Sequence, residues 1–404
     1  MRNMGRVLLV TSLHALTACS DDAAGGSAGE AGSVSAPSAV EERYLLGSIV
    51  FGDDGSNGYV GVIPASALDG GSLSLAGTRE FPGQSDVWSR NGHVFVASGD
   101  APKVTKYEVE SSGELRELGS VSFADYGVTD AAFWNHLFVS DEKVYLTNGP
   151  EQIVVWNPEN MRIAGTIELP SFARPGSLVP RIGTADRTGI VRNGMAYLTV
   201  YWTDDDYADR ADDSLILVFD ANADALVEQL PVACPGLDYG TADDEGNVYF
   251  SNWTGGVGTH YVLGTAPNCI AKLDVTSGTL ERIFFADLTA GHEGAAFAYA
   301  GDGGFVFSVF DEVRAKAAET DDPFAILSEP NFRLYRYEPG DGKAVPVDGV
   351  DWNSGACMLV RLGAQTVSLV PGAGYANTTG YRLEGASATK AYDVTGWSFR
   401  LFAL

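Results

Sequence analysis

Short apolar runs rich in Val, Ile, Leu, Phe and Tyr alternate along this chain with clusters of Gly, Asn, Asp and Pro. That is strand-and-turn chemistry: branched and aromatic side chains suit a pleated surface, and the small polar residues supply tight reversals. One such run follows a turn near Glu41, Gly92, Lys143, Gly194, Gly246, Gly303 and Gly355, at intervals of 51, 51, 51, 52, 57 and 52 residues. The runs are alike: 44–51, 93–99, 144–149, 196–202, 248–253, 305–310 and 357–362. After each comes a second apolar run (103–109, 152–156, 215–219, 270–275) and a third (115–123, 280–285). A fourth leads into the next unit (86–89, 131–134, 295–299). Four strands repeated at this period make a β-propeller blade. The expected fold is therefore all-β, a seven-bladed β-propeller over residues 41–404, against the alternatives of paired β-sandwiches or an irregular β-solenoid.

The two ends of the chain complete the count. The chain enters at Tyr44 already in the second strand of its unit, and the run 396–402 is left over at the other end. The C-terminal strand is thus expected to close blade one, which removes the exposed sheet edges that invite aggregation. Helical periodicity is nearly absent; the single helix-like stretch is 311–318.

Residues 1–18 read differently. Arg2 and Arg6 precede the apolar run 7–16, which ends in Leu16-Thr17-Ala18-Cys19. A basic start, a short apolar stretch and small residues before the cut describe a secretory signal, too short to span a bilayer stably. The ending resembles a bacterial lipobox, which implies lipidation of Cys19; several acyl chains hold a protein on a membrane far more firmly than one. Ser20 follows, then Asp21 and Asp22, and the stretch to residue 40 is Gly-, Ala- and Ser-rich, as expected of a tether. Asp does not follow the cysteine directly, and acidic residues lie just beyond it. An outer-membrane lipoprotein on the periplasmic or cell-surface side is expected.

Charge excludes some partners. Without residues 1–18 the chain has 24 Lys and Arg against 53 Asp and Glu, a net of −29. Such a field repels nucleic acid and anionic lipid. In an oxidising compartment a Cys234–Cys269 disulfide is expected, because both positions map to one face of adjacent blades. Cys357 falls in a strand of blade seven, as a buried thiol.

Loops joining the second and third strands of a blade share a face with the blade-to-blade connections. The long ones are 203–214, 252–268 and 311–331, with the connection 170–188. Long loops on one face of a rigid ring are commonly functional. They carry Arg174, Arg181, Arg187, Arg210, Arg314 and Lys316, beside Trp202, Trp253, His260, Tyr261 and His292. Guanidinium forks with aromatic faces suit a large planar anion. The competing reading pairs each arginine with a nearby carboxylate, Asp204–Asp206, Asp209, Asp212 or Asp213 among them.

No metal site is expected. The acidic run 204–213 lacks the EF-hand register and its glycine, and His260 and His292 have no recognised metal spacing. His292-Glu293 is the best placed pair for acid–base work. A Ca²⁺-dependent lactonase-like hydrolase would need acids converging on the channel, for which Asp86, Asp130, Asp243 and Asn353 are candidates. There is no Gly-x-Ser-x-Gly elbow and no phosphate-binding loop.

Three stretches carry a family likeness: Phe51-Gly-Asp-Asp-Gly-Ser-Asn-Gly-Tyr59; Val104-Thr-Lys-Tyr107 with Gly119-Ser-Val-Ser-Phe123; and Ile153-Val-Val-Trp-Asn-Pro158 with Met161. They resemble the MxcI-type lipoproteins encoded with catecholate siderophore clusters of myxobacteria, which are similar to the siderophore-binding surface lipoproteins of Bacteroides. The resemblance spans roughly residues 44–400. It implies a seven-bladed propeller that captures a ferric siderophore and passes it to a TonB-dependent outer-membrane receptor, with no cofactor and no catalytic motif. A ligand-free adhesive or structural propeller is the third class of function.

Overall fold

The computed structural model describes residues 43–404 except 53–56, 66–67, 77, 84, 130–134, 184–187 and 328. The signal, Cys19 and the tether lie outside the described residues, as do Asp130, Arg187 and the expected run 131–134.

Seven antiparallel sheets of four or five strands follow one another around a ring. The repeat runs generally form the second strand of each blade, as in Tyr44–Phe51, His93–Ala97, Lys143–Asn148, Met195–Thr203, Val248–Ser251 and Gly304–Phe310. These strands are buried on both faces because neighbouring sheets cover them, so they read as nearly continuous apolar runs. The outer strands face solvent on one side and alternate, as in Arg162–Glu168. One register differs from expectation. In blade seven the run 357–362 is the innermost strand, Met358–Leu362, and the second strand is Gln365–Pro371. The long crossing in blade six lengthens that unit, so counting a constant period lands one strand early.

Ring closure is as the leftover strand predicts. Trp397–Ala403 is the innermost strand of blade one and pairs antiparallel with Tyr44–Phe51, with Tyr44 opposite Ala403 and Leu46 opposite Leu401. A fully buried ion pair spans the seam to blade two. Arg400 donates from Nη2 to both oxygens of Asp86 at 2.7 Å and from Nε to Oδ1 at 2.9 Å. Bidentate geometry of this kind is what makes a buried pair tolerable. A strap adds a second closure: Ser72–Leu73, from blade one, pairs parallel with Asp393–Val394 on the outer strand of blade seven.

The expected helix at 311–318 is not there. That segment runs through turns into a 3₁₀ turn at Ala317–Glu319. The longer helix is Gly255–Leu263, in the crossing of blade five. Its glycines hide it from propensity and are needed for contact. A Cβ on Gly258 would lie 2.1 Å from the Pro323 carbonyl oxygen, and one on Gly256 would lie 2.3 Å from Nη1 of Arg210. No helix among the described residues is long and apolar enough to cross a membrane.

Candidate functional site: two faces of the ring

Strand order puts the crossings of blades four, five and six on one face, where they pack together. The hub is Arg210. It sits at the start of the strand Arg210–Asp220 rather than in the loop, because the crossing itself is only 204–209. Its Nη2 donates to the carbonyls of Gly256 at 2.8 Å and Ala266 at 3.2 Å and to Asn268 Oδ1 at 3.1 Å. Burial pulls the Arg210 pKa down to about 10, opposed by Asp238, Glu293 and Asp212. Beside it Cys234 and Cys269 form the expected disulfide, and Cys357 is the buried free thiol, its pKa pushed up to about 12 by burial.

The other predicted cations on this face are taken up locally. Arg174 makes two hydrogen bonds to Asp213, at 2.7 and 2.8 Å, and lies over Trp202. Trp202 is itself buried and donates from its indole to the Phe172 carbonyl at 2.7 Å. Arg181 stands on the inner strand Val179–Ile182, not in a connection, and reaches Asp205 at 3.3 Å. Arg314 donates to the Pro330 carbonyl at 2.7 Å and lies over Trp352. Lys316 approaches Glu319 at 4.0 Å.

The aromatic and imidazole groups are likewise engaged. Trp253 stacks on Tyr239. His260 Nδ1 lies 2.6 Å from the Thr265 carbonyl, and His292 Nδ1 lies 3.1 Å from Glu312 Oε2. Tyr261 accepts a hydrogen bond from the Glu293 backbone N–H at 3.3 Å, and burial lifts its pKa to about 12. Glu293 is buried and accepts from the Asn268 N–H at 2.9 Å. Burial raises its pKa, while His260, that N–H and Arg210 oppose the shift.

The described hydrolase candidates each have a structural partner. Asp86 holds Arg400. Asp243 accepts from Asn247 and from the Tyr249 hydroxyl at 2.9 Å, which caps a hairpin. Asn353 Oδ1 accepts from the Gly355 N–H at 2.8 Å and from the Cys357 thiol. No group of three or more His, Cys, Asp or Glu poised for a metal occurs among the described residues.

The opposite face carries what the sequence reading missed. A cavity of about 610 Å³ opens where the inner strands turn into the second strands, lined from blades one, two, three, four, five and seven. Two-residue turns with positive φ at both positions close several of these hairpins, as at Asn91-Gly92 and Asn193-Gly194. Arg90 and Arg192 stand just before such turns in blades two and four, and Arg361 stands two residues before the Gly363-Ala364 turn of blade seven. At the matching corners of blades three and five stand Asp141 and the pair Asp243-Asp244.

The opposite charges meet across blades. Arg90 lies 3.1 Å from Asp141, Arg361 lies 3.1 Å from Asp244, and Arg192 donates to the Asp243 carbonyl at 2.9 Å. A hydrogen bond from Asn91, with the Arg90 contacts, lowers the Asp141 pKa. Burial works to raise Asp244, but the Tyr299 hydroxyl at 2.7 Å together with Arg361 overcomes it, and the net shift is downward. Trp88, Phe138 and Phe402 add apolar surface to the lining. A visible signal existed for two of them: Arg-Asn-Gly recurs at 90–92 and 192–194, with Arg directly before the two-residue turn.

No family model and no curated protein matches the chain. Solved structures do. A 6-phosphogluconolactonase candidate from Bacteroides fragilis NCTC 9343 superposes with a TM-score of 0.57 at 14% identity, over 91% of this chain and 99% of its own. The periplasmic gluconolactonase of Pseudomonas aeruginosa gives 0.56 at 11% identity, over 90% and 99%. These likenesses show the propeller fold.

Proposed function

We propose that the protein is a non-catalytic binding propeller, anchored at the outer membrane through Cys19, that takes a ferric catecholate-type siderophore and passes it to a TonB-dependent receptor. The ligand seat is the arginine-bearing channel mouth rather than the loop face. The supporting observation is the cavity itself: three arginines and one aspartate line it in a chain of 26 basic and 53 acidic residues. Its volume of about 610 Å³ falls within the roughly 300–1,000 Å³ range of small-molecule sites. A ferric tris-catecholate is a bulky aromatic trianion, suited to guanidinium groups beside aromatic surface. The arginines of both faces have protein partners, but Arg90, Arg192 and Arg361 also line the cavity, and Arg174, Arg181 and Arg210 do not.

Hydrolysis is the second reading, favoured by the likeness to gluconolactonases. It is the weaker one, because the carboxylate among the lining residues, Asp141, has a lowered pKa and is a poor proton acceptor near neutrality.

Titration with a ferric tris-catecholate, followed through tryptophan fluorescence with the chelate absorbance corrected, tests the proposal. Saturable binding in the micromolar range or tighter is expected, with salt weakening it. R90A and R361A should each weaken it by about tenfold, one guanidinium contact, and R174A should leave it unchanged. Absence of saturation, or loss through R174A alone, overturns the reading. Turnover of gluconolactone abolished by D141N would favour the hydrolase.

A further inference from the structure

We propose that one ordered water molecule is a built-in part of the seam between blades six and seven, held by the Ser368 and Ser308 hydroxyls and the bulged backbone at Ala296. Hydroxyl side chains join neighbouring blades along this part of the ring. Between blades four and five, Thr199 donates to the Leu237 carbonyl at 2.6 Å. Between blades five and six, Ser251 and Thr241 accept from the N–H groups of Phe297 and Tyr299 at 3.1 and 3.0 Å. Between blades seven and one, Thr378 donates to the Gly396 carbonyl and accepts from the Ser398 N–H, both at 2.8 Å.

The seam between blades six and seven is joined in the same way at two positions. Thr366 donates to the Ala300 carbonyl at 2.7 Å, and Ser308 donates to the Gly355 carbonyl at 3.3 Å. Ser368 stands two residues beyond Thr366 on the strand Gln365–Pro371, so its side chain leaves the same face of the sheet. It is 1% exposed, and its Oγ has no hydrogen-bond partner among the described residues. A hydroxyl buried in this way is normally satisfied, by protein or by ordered water.

The backbone opposite Ser368 is turned the other way. The inner strand of blade six, Gly294–Gly301, bulges: its pairing with the second strand passes from Ala295–Ser308 directly to Ala298–Val306. Ala296 takes a φ of +57°, rare for a residue with a Cβ. The N–H groups of Ala296 and Phe297 reach into blade five, to the Asn252 carbonyl at 2.8 Å and to Ser251. A cavity of about 10 Å³ is left on the blade-seven side, where Ala296, Ser308, Ser368 and Met358 line it.

A single water needs roughly 10–15 Å³ and two to four polar partners. The cavity has that size and admits nothing larger. Ser308 gives its proton to Gly355 and offers the water a lone pair, while Ser368 can donate or accept. The bulged backbone, taken out of its ladder, is the third partner. An apolar occupant would leave Ser368 unsatisfied. One bulge thus joins blade six directly to blade five, and through the water to blade seven.

A crystal structure of the protein at a resolution that shows ordered solvent tests this directly. One density peak is expected within about 3.2 Å of Ser368 Oγ and of at least one further polar atom. A dry cavity, or Ser368 turned onto a protein acceptor, overturns the proposal. Hydrogen exchange reads the same seam in solution. S368A should raise exchange of the amides in Met358–Leu362 and Gln365–Pro371 about fivefold, the weight of one net hydrogen bond. The amides of His93–Ala97, in blade two, should not change. Exchange unaltered by S368A, or raised equally in blade two, also overturns it. Should S368A fail to fold, the crystal density decides alone.

Discussion

The two faces of this ring use arginine in opposite ways. On the face of the long crossings, Arg174, Arg181 and Arg210 are absorbed by Asp213, Asp205 and the carbonyls around the helix Gly255–Leu263. Their charges fasten the crossings to the strand ends beside them, backed by the Cys234–Cys269 disulfide. On the hairpin face the turns after Arg90 and Arg192 are two residues long and leave no room for a partner within the same turn. Arg90 reaches instead to the corner of blade three, while Arg192 and Arg361 both reach to that of blade five, and all three arginines line the cavity. Long loops rich in cations can mark self-sufficient structure, while short turns repeated around an axis can build a site.

The sharpest test of that contrast is Arg210→Met. It leaves the Gly256 and Ala266 carbonyls and Asn268 Oδ1 without this donor and removes the buried charge beside Glu293, and such losses cost about 3–5 kcal/mol. A large drop in the denaturation midpoint is expected, with ligand affinity of the folded fraction unchanged. Next is C234S/C269S. Opening a link across 35 residues should destabilise by roughly 2–4 kcal/mol, again without moving the affinity. Arg192→Gln should do the reverse: chelate affinity falls about tenfold, equal to 1.4 kcal/mol, while the melting temperature hardly moves. If Arg210→Met weakens binding more than Arg192→Gln does, the assignment of the two faces is inverted.

The smallest effect concerns pH. Asp141 and Asp244 have folded pKa values below the ordinary aspartate value of 3.8. Their stabilising share is complete above that value and is lost as pH falls through the lowered folded one. D141N/D244N should therefore melt slightly below the parent at pH 7, and the two should converge as the pH falls through the lowered folded values. A gap that widens on acidification contradicts the cross-blade pairing.

Most of the fold was legible along the chain because a blade is a local object. Its four strands are consecutive, and their apolar runs and Asn-Gly turns are written in order. The leftover run 396–402 and the late entry at Tyr44 announced the closing strand. What went astray was what a constant period cannot carry. The register of blade seven slipped by one strand after the long crossing of blade six. The helix Gly255–Leu263 hid behind glycines that exist for close packing against Arg210 and Pro323.

The candidate site was read less well than the fold. Each arginine of the mouth sits alone in its own repeat, far in sequence from the others, and only the ring axis brings them to one rim. The acids that engage Arg174 and Arg181 sat in plain view in 204–213. Pairing, however, depends on direction and distance, which composition does not contain. The sequence by itself therefore determined the number of blades, the strand order and the way the ring closes, because these follow from local periodicity. Which charges cancel and which surround an opening was decided only in three dimensions, where residues as far apart in sequence as Arg90 and Arg361 share one rim.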